Sequence, residues 1–277
     1  MRILEEELNK LIEFSKKSDN IRALVLQGSY INPKAPTDKF SDLDPLFFVE
    51  DLDEFIHNDD WKNYFGEPIS FFNDEGSYKD NLKWYTRLTI YNDGFKMDFG
   101  FQSVKLAKYA NDMKLYKIYL DKDGILPMPK VIDERKFYIK KPTEKEFLDR
   151  MNTFFFDTSY IVKSLLREEY IFEKYIEAEI HEFKLTILLE WYIAIKNNYK
   201  VNTGLKGRYI KKYLTEEEWQ MVLDTYSDGT HEKTVNALFA SFKLVKYLGS
   251  FIAKELNYKY PETHEKDMFN YCVKYLK

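Results

Sequence analysis

Three aspartates are the residues of this sequence best suited to chemistry. Asp42 and Asp44 lie two positions apart at the start of an apolar run, so in a strand both carboxylates point to one face. Asp98 lies in a later run, just after a hairpin turn signal at residues 92–94. If the two strands are neighbours, three carboxylates converge, and such a group would repel itself without a cation. Mg²⁺ is the expected ion because it prefers oxygen ligands and shares its coordination shell with substrate phosphates.

A glycine–serine pair after the first apolar run could bind the phosphates themselves. Gly28 allows the backbone to approach a phosphate closely, and the Ser29 hydroxyl and nearby N–H groups could bind its oxygens. Two Mg²⁺ ions would clamp the attacking and leaving oxygens of a displacement at phosphorus. Each feature alone is typical of a solvated turn. Their order along the chain is more specific, and it is the order of the nucleotidyltransferase superfold.

Hydrophobic patterning divides the chain into two parts. The first part alternates a helix over residues 2–17 with short strands, and the second contains long helix-period segments with almost no proline. The predicted strands are Ile21–Gln27, Leu43–Val49, Pro68–Phe72, Trp84–Tyr91 and Phe95–Phe101. The predicted later helices are 143–169, 175–199, 215–226, 231–257 and 262–276. We therefore expect an α+β fold, with a small mixed-sheet domain over residues 1–140 and an all-helical bundle domain over residues 141–277.

Composition narrows the classes of function. The chain has 277 residues and a net charge of −4, which does not favour nucleic acid as a partner. One cysteine excludes an internal disulfide and any multi-cysteine metal site. The first ten residues carry three consecutive glutamates and no apolar stretch, so we expect no signal peptide. No apolar run approaches about 20 residues, which predicts no membrane span and a cytoplasmic location.

The chain resembles the aminoglycoside 6-adenylyltransferases, the streptomycin-modifying type. The resemblance covers nearly the whole length, and its specificity comes from the shared order of modest motifs. In the first half these are Gln27-Gly28-Ser29 with Asn32, Asp38-x-Phe40-x-Asp42-x-Asp44, Phe47-Phe48-Val49, Phe65-Gly66-Glu67, Asp93-Gly94-x-Lys96-x-Asp98 and Leu120-Asp121-Lys122-Asp123. In the second half they are Asn152-x-Phe154, Tyr160-x-Val162-Lys163 with Leu165 and Arg167, Trp191, Gly204, Lys212-Tyr213, Thr225-Tyr226 and Tyr258-x-Tyr260-Pro261.

The resemblance implies transfer of an adenylyl group from ATP to a hydroxyl of an aminoglycoside, with pyrophosphate leaving, and hence antibiotic resistance. It implies that two Mg²⁺ ions bind the residues matching the family's metal ligands, Asp42, Asp44 and Asp98. It also implies that Ser29 and Ser41 contact the triphosphate with Gly28 beside them. Lys163 would neutralise the triphosphate from the opposite side. From the residues alone, a lysine at position 163 more often extends from an apolar helix into solvent than binds a phosphate, and the resemblance to the family reverses that preference.

Departures from the family pattern lie on the acceptor side. Tyr30 stands where the family usually has arginine, and Thr153 stands where it has a glutamate that could hold a substrate amine or act as base. Glu182 and Lys184 replace residues that tend to carry the opposite charges. Two alternatives therefore stay open. One is the same chemistry on a hydroxyl acceptor that is not an aminoglycoside, and the other is a catalytically silent nucleotide-binding homologue.

Four glutamates early in the helical part have two interpretations. Glu168, Glu169, Glu173 and Glu177 could line an aminoglycoside site. A solvated, charged helix surface is the simpler interpretation, and it is the one we adopt from the sequence.

Overall fold

The computed structural model describes residues 2–32, 38, 40–113, 115–130 and 134–277. The predicted loop between Asn32 and Asp38 therefore lies largely outside the described residues. The chain folds into two compact units, Met1–Ile132 and Asp133–Lys277. Each unit has its own hydrophobic core.

The first unit is built on a six-stranded mixed sheet. Its elements are α1 (Leu4–Lys17), β1 (Ile21–Gln27), β2 (Asp44–Val49), α2 (Asp53–His57), β3 (Pro68–Tyr78), β4 (Leu82–Tyr91), β5 (Lys96–Ser103) and β6 (Lys117–Asp121). The strand order is β3-β4-β5-β2-β1-β6. Only the β2–β5 pair is parallel, and every other neighbouring pair in the described sheet is antiparallel.

The central strands are apolar on both faces because both faces of the sheet are covered. On one face, Leu24 and Phe47 join the core formed with α1. On the other face, Val25 and Leu46 pack with residues of the 3-10 helix Val104–Asp112. This double burial explains why β1 and β2 appear in the sequence as continuous apolar runs rather than alternating ones.

The second unit is helical. Its helices are α3 (Glu144–Leu166), α4 (Tyr170–Ile180), α5 (Thr186–Lys196), α6 (Glu216–Leu223), α7 (His231–Leu256) and α8 (Glu262–Leu276). Thr143 and Glu146 form a capping box that begins α3, in which each side chain binds a backbone N–H of the other residue. The buried faces of these helices, α7 above all, form a single core.

The predicted fold class is confirmed, and the differences are local. The sequence analysis does not predict β6, because Lys117–Asp121 is only five residues long and has a charged residue at each end; it pairs with β1 at the edge of the sheet. The predicted helix 175–199 is instead three consecutive elements, α4, a π-helix at His181–Leu185, and α5. The π-helix is short, and the apolar residues around it are dense enough to fit one uninterrupted helix, so the sequence does not reveal it.

One helix in the described part of the chain, α7, is long and apolar enough to cross a membrane by length and composition alone. Core helices of globular proteins pass the same test, and 56% of its most apolar window is buried inside the protein.

Candidate functional site

The parallel pairing of β2 with β5 places two of the three predicted acidic residues, Asp44 and Asp98, side by side. Leu46 pairs with Gly100, and Leu43 forms a bridge with Met97 at the same offset in residue number. The Asp98 N–H donates to the Leu43 carbonyl at 2.9 Å. Asp44 is therefore level with Asp98, on the same face of the sheet.

Lys96 lies among the three aspartates. Its Nζ donates to Asp98 Oδ2 at 2.6 Å and to Asp42 Oδ2 at 3.4 Å. Burial disfavours the charge of this ammonium group, but the hydrogen bond and the charge of Asp98 outweigh it, so the pKa of Lys96 is raised. One lysine thus connects two of the three carboxylates and partly neutralises the group.

The remaining negative charge is incompletely compensated. Burial raises the pKa of Asp44 to about 6, and the nearby Asp98 and Asp42 charges add to that effect while Lys96 opposes it. Asp98 Oδ1 is buried and has no hydrogen-bond partner among the described residues. A buried oxygen without a partner in an acidic group is a position that a cation would fill.

Gly28 closes the site from the end of β1. Its φ is +75°, and a Cβ at this position would overlap the Asp44 carboxylate. Only glycine meets both conditions, the left-handed backbone and the close approach. Gly28, Asp44 and Asp98 line an open cavity of about 360 Å³, whose other walls include Thr86 and Gln102.

The serines and the lysine implied by the resemblance lie as follows. Ser29 is in the turn after β1, where its carbonyl accepts from the Asn32 N–H at 3.1 Å. The Ser41 Oγ accepts from the Asp38 N–H at 2.8 Å. Lys163 belongs to the helical unit, where it is exposed on α3 with its Nζ 5.9 Å from the centre of the Tyr160 ring.

The residues present fit a magnesium ion that is completed by substrate. Among the described residues, no three acidic, histidine or cysteine side chains are grouped closely enough to hold a metal unaided. Mg²⁺ usually takes only one or two carboxylates and completes its octahedron with water and substrate phosphates. The donors here are all carboxylate oxygens, and one of them, Asp98 Oδ1, is unpartnered within the described part of the chain.

The two acceptor-side departures have defined surroundings. The partly buried Tyr30 packs against the core beneath α1, and burial raises its pKa. Thr153 is exposed on α3, and its hydroxyl donates to the Asp149 carbonyl one turn earlier, at 2.8 Å. Neither side chain offers a charge to a substrate.

The position of Lys96 was missed by sequence reasoning, which assigns this residue no role. A signal exists, because Lys96 and Asp98 lie two apart in a strand and must share a face. The cavity wall from β4, with Trp84 and Thr86, carries no such signal. It is defined only by the pairing of β4 with β5.

Comparison with known proteins identifies the family. The family model described as streptomycin adenylyltransferase matches residues 1–275. The chain is 32% identical over 276 residues to the aminoglycoside 6-adenylyltransferase of Staphylococcus aureus, covering 98% of both chains. It is 31% identical over 270 residues to that of Bacillus subtilis (strain 168), covering 96% of this chain and 95% of the relative. The crystal structure of an aminoglycoside 6-adenyltransferase from Bacillus subtilis matches at 26% identity with a TM-score of 0.48, covering 99% of this chain and 98% of that one. The family model and the two relatives confirm the resemblance inferred from the sequence, and the chain belongs to the streptomycin adenylyltransferase family of nucleotidyltransferase enzymes.

Proposed function

We propose that this enzyme transfers an adenylyl group from ATP to a hydroxyl of a streptomycin-type aminoglycoside and so inactivates the antibiotic. The observation that carries the proposal is the register of β2 and β5, which sets Asp44 beside Asp98 at the edge of an open cavity. The named activity of the relatives, at 31% and 32% identity over nearly the whole chain, supports the choice of acceptor.

In this proposal, Asp42, Asp44 and Asp98 hold Mg²⁺, with two ions expected for a displacement at phosphorus. When bound, the metal supplies positive charge to the triphosphate oxygens and to the leaving pyrophosphate. Gly28 lets the β1 turn approach the triphosphate, and the Ser29 hydroxyl donates to it.

The reaction is an in-line displacement. The acceptor oxygen forms a bond to the α-phosphorus of ATP, and the bond from that phosphorus to the β-phosphate bridging oxygen breaks. The proton of the acceptor hydroxyl passes to a base, for which the Asp98 carboxylate is one candidate. Ser41 and Lys163 bind the triphosphate, so that charge neutralisation and positioning provide most of the rate enhancement.

A panel of acceptors tests the proposed function. The purified enzyme is incubated with ATP, Mg²⁺ and each of several aminoglycosides, and the products are weighed by mass spectrometry. We expect streptomycin to gain one adenylyl group and free pyrophosphate to accumulate. An unmodified drug across the whole panel would remove the aminoglycoside from the proposal.

The same chemistry on another hydroxyl acceptor is the second candidate, and the Thr153 geometry favours it. A threonine at this position supplies no carboxylate for a substrate amine, and the Thr153 hydroxyl donates to the backbone of its own helix. ATP consumption with a metabolite extract, but not with aminoglycosides, would support this candidate.

A further inference from the structure

The helical unit contains an open pocket of about 590 Å³ built around the π-helix His181–Leu185. Its walls come from the end of α4, from the π-helix itself, from the start of α5 and from the segment after α6. The volume is in the range of small-molecule sites. π-helical turns inside α-helices occur frequently at functional sites, because the extra residue redirects the side chains around it.

The pocket contains more acid than base. Glu177 pairs with Lys174, and Glu182 pairs with Lys206 at 2.9 Å. The third carboxylate, Glu190, has no ion-pair partner in the described part of the chain.

Glu190 is half-buried, and the hydroxyl of Thr203 donates to its Oε1 at 2.8 Å. Burial raises the pKa of Glu190, while the Thr203 hydrogen bond opposes that rise. A half-buried carboxylate in an open pocket, bound by one neutral donor, is suited to receive a cation.

A second acidic group lies behind the pocket. Glu173 is fully buried, and neither of its carboxyl oxygens accepts a hydrogen bond from the residues that the structure describes. It lines a small cavity of about 20 Å³ that shares Glu177 and His181 with the open pocket. Behind the residues that the two cavities share therefore lies a buried acid, whose Oε2 is 3.9 Å from Lys174 Nζ and accepts no hydrogen bond from the described residues.

One wall of the pocket is aromatic. The rings of His181 and Tyr226 stack with their centres 4.0 Å apart. Burial lowers the pKa of His181, so this wall adds no positive charge. An aromatic face beside carboxylates is the arrangement that recognises an organic cation on a ring, through apolar contact and cation–π attraction.

The geometry points to this pocket as the binding site for a cationic amino-sugar or guanidino group of the acceptor, with Glu190 as its counter-ion and Tyr226 as its stacking surface. The assignment rests on the proposed function for the identity of the ligand. It goes further by naming residues of the helical unit that determine acceptor specificity.

Binding measured without ATP tests the assignment. Streptomycin, which carries guanidinium groups, and other aminoglycosides are titrated by calorimetry into the wild type, Glu190→Gln and Glu255→Gln. The amide of the Glu190→Gln variant keeps an oxygen for the Thr203 hydrogen bond, and Glu255 is an exposed residue of α7 that serves as the matched control. We expect Glu190→Gln to weaken binding by about 10-fold or more, the effect of losing one charge-assisted contact. The control should bind as the wild type does.

Two variants of Tyr226 test the stacking surface, and the one that keeps the ring is the control for misfolding. Tyr226→Phe keeps the stacking ring and should retain affinity, whereas Tyr226→Ala should weaken binding by several-fold. In transfer assays, both Glu190→Gln and Tyr226→Ala should raise the KM for the acceptor and leave the KM for ATP unchanged.

The outcomes separate the two proposals. If the wild type adenylylates streptomycin and Glu190→Gln leaves both affinity and acceptor KM unchanged, the pocket assignment is wrong and the proposed function stands. If streptomycin binds in a Glu190-dependent way without being adenylylated, the pocket assignment stands and the transfer proposal fails. If no aminoglycoside binds the wild type, both are overturned.

Discussion

Gly28 and Asp44 lie so close that a single added methyl group at Gly28 would overlap the Asp44 carboxylate. The turn that ends β1 and the acid that begins β2 are therefore fitted to each other. This contact joins the turn at Gly28, which we propose approaches the triphosphate, to the candidate metal site. A substitution at Gly28 therefore tests the site without changing any of its carboxylates.

We predict that Gly28→Ala disrupts the site and that Gly124→Ala does not. Both glycines have positive φ, +75° and +64°, so both substitutions should cost about 1–2 kcal/mol of backbone strain. A Cβ on Gly124 meets nothing within 4 Å, whereas one on Gly28 displaces Asp44. Denaturant unfolding and turnover measured on both variants check this. Equal activity of the two folded variants would contradict the close-approach argument.

Lys96→Met should increase the stabilisation of the protein by Mg²⁺. Removing the ammonium group leaves Asp42 and Asp98 without their shared hydrogen-bond donor, so the acidic group becomes more repulsive. A bound cation relieves that repulsion and stabilises the folded state by mass action.

The measurement is the unfolding temperature of the wild type and Lys96→Met, with EDTA and with Mg²⁺. We expect a lower value for the variant in EDTA and a larger upward shift on adding Mg²⁺. Identical shifts for both proteins would mean that Lys96 and the ion do not share a site.

The buried Glu173 should make stability fall with rising pH. Burial raises its pKa from 4.5 to about 7, Glu177 adds to the rise, and Lys174 opposes it. His181 also lines the cavity and is uncharged above its lowered pKa. Between pH 4.5 and about 7 the folded state binds more protons than the unfolded state, so the free energy of unfolding decreases as pH rises.

Glu173→Gln should remove this decrease, which is on the order of 2 kcal/mol across the window. Denaturant titrations from about pH 4 to 8 on the wild type and the variant give the difference directly, and Glu255→Gln provides the exposed control. If the stability of the variant depends on pH as that of the wild type does, folding does not raise the pKa of Glu173.

The strands that carry the site are largely predictable, because their burial on both faces produces continuous apolar runs. β1 has the predicted bounds, Ile21–Gln27, and β2 begins one residue after the predicted start. β3 extends six residues beyond the predicted Phe72, through polar residues, because pairing with β4 rather than burial defines it. An exposed edge strand of this kind leaves no apolar pattern.

The helical pocket is not predictable, for two physical reasons. Apolar residues are dense on both sides of His181–Leu185 and fit an uninterrupted helix, so the sequence does not show the π-helix there. The sequence interpretation places Glu173 with Glu177 on a solvated surface, and for Glu173 this is wrong, because packing of α4 buries it completely. A charged residue on a helix is buried by the neighbours that tertiary structure brings to it, and those neighbours are distant in sequence.

The roles proposed for Asp42, Asp98, Ser29 and Ser41 remain predictions. All of them require that Asp44, the residue beside Asp98, helps to bind the metal. The most direct measurement is the mass of streptomycin after incubation with ATP and Mg²⁺ and one of three proteins: wild type, Asp44→Asn, and Asp267→Asn, an exposed control on α8. Circular dichroism shows that each is folded. We expect adenylylated product from the wild type and the control, and a rate at least about 100-fold lower from Asp44→Asn. A folded Asp44→Asn enzyme that forms product at the wild-type rate would contradict it.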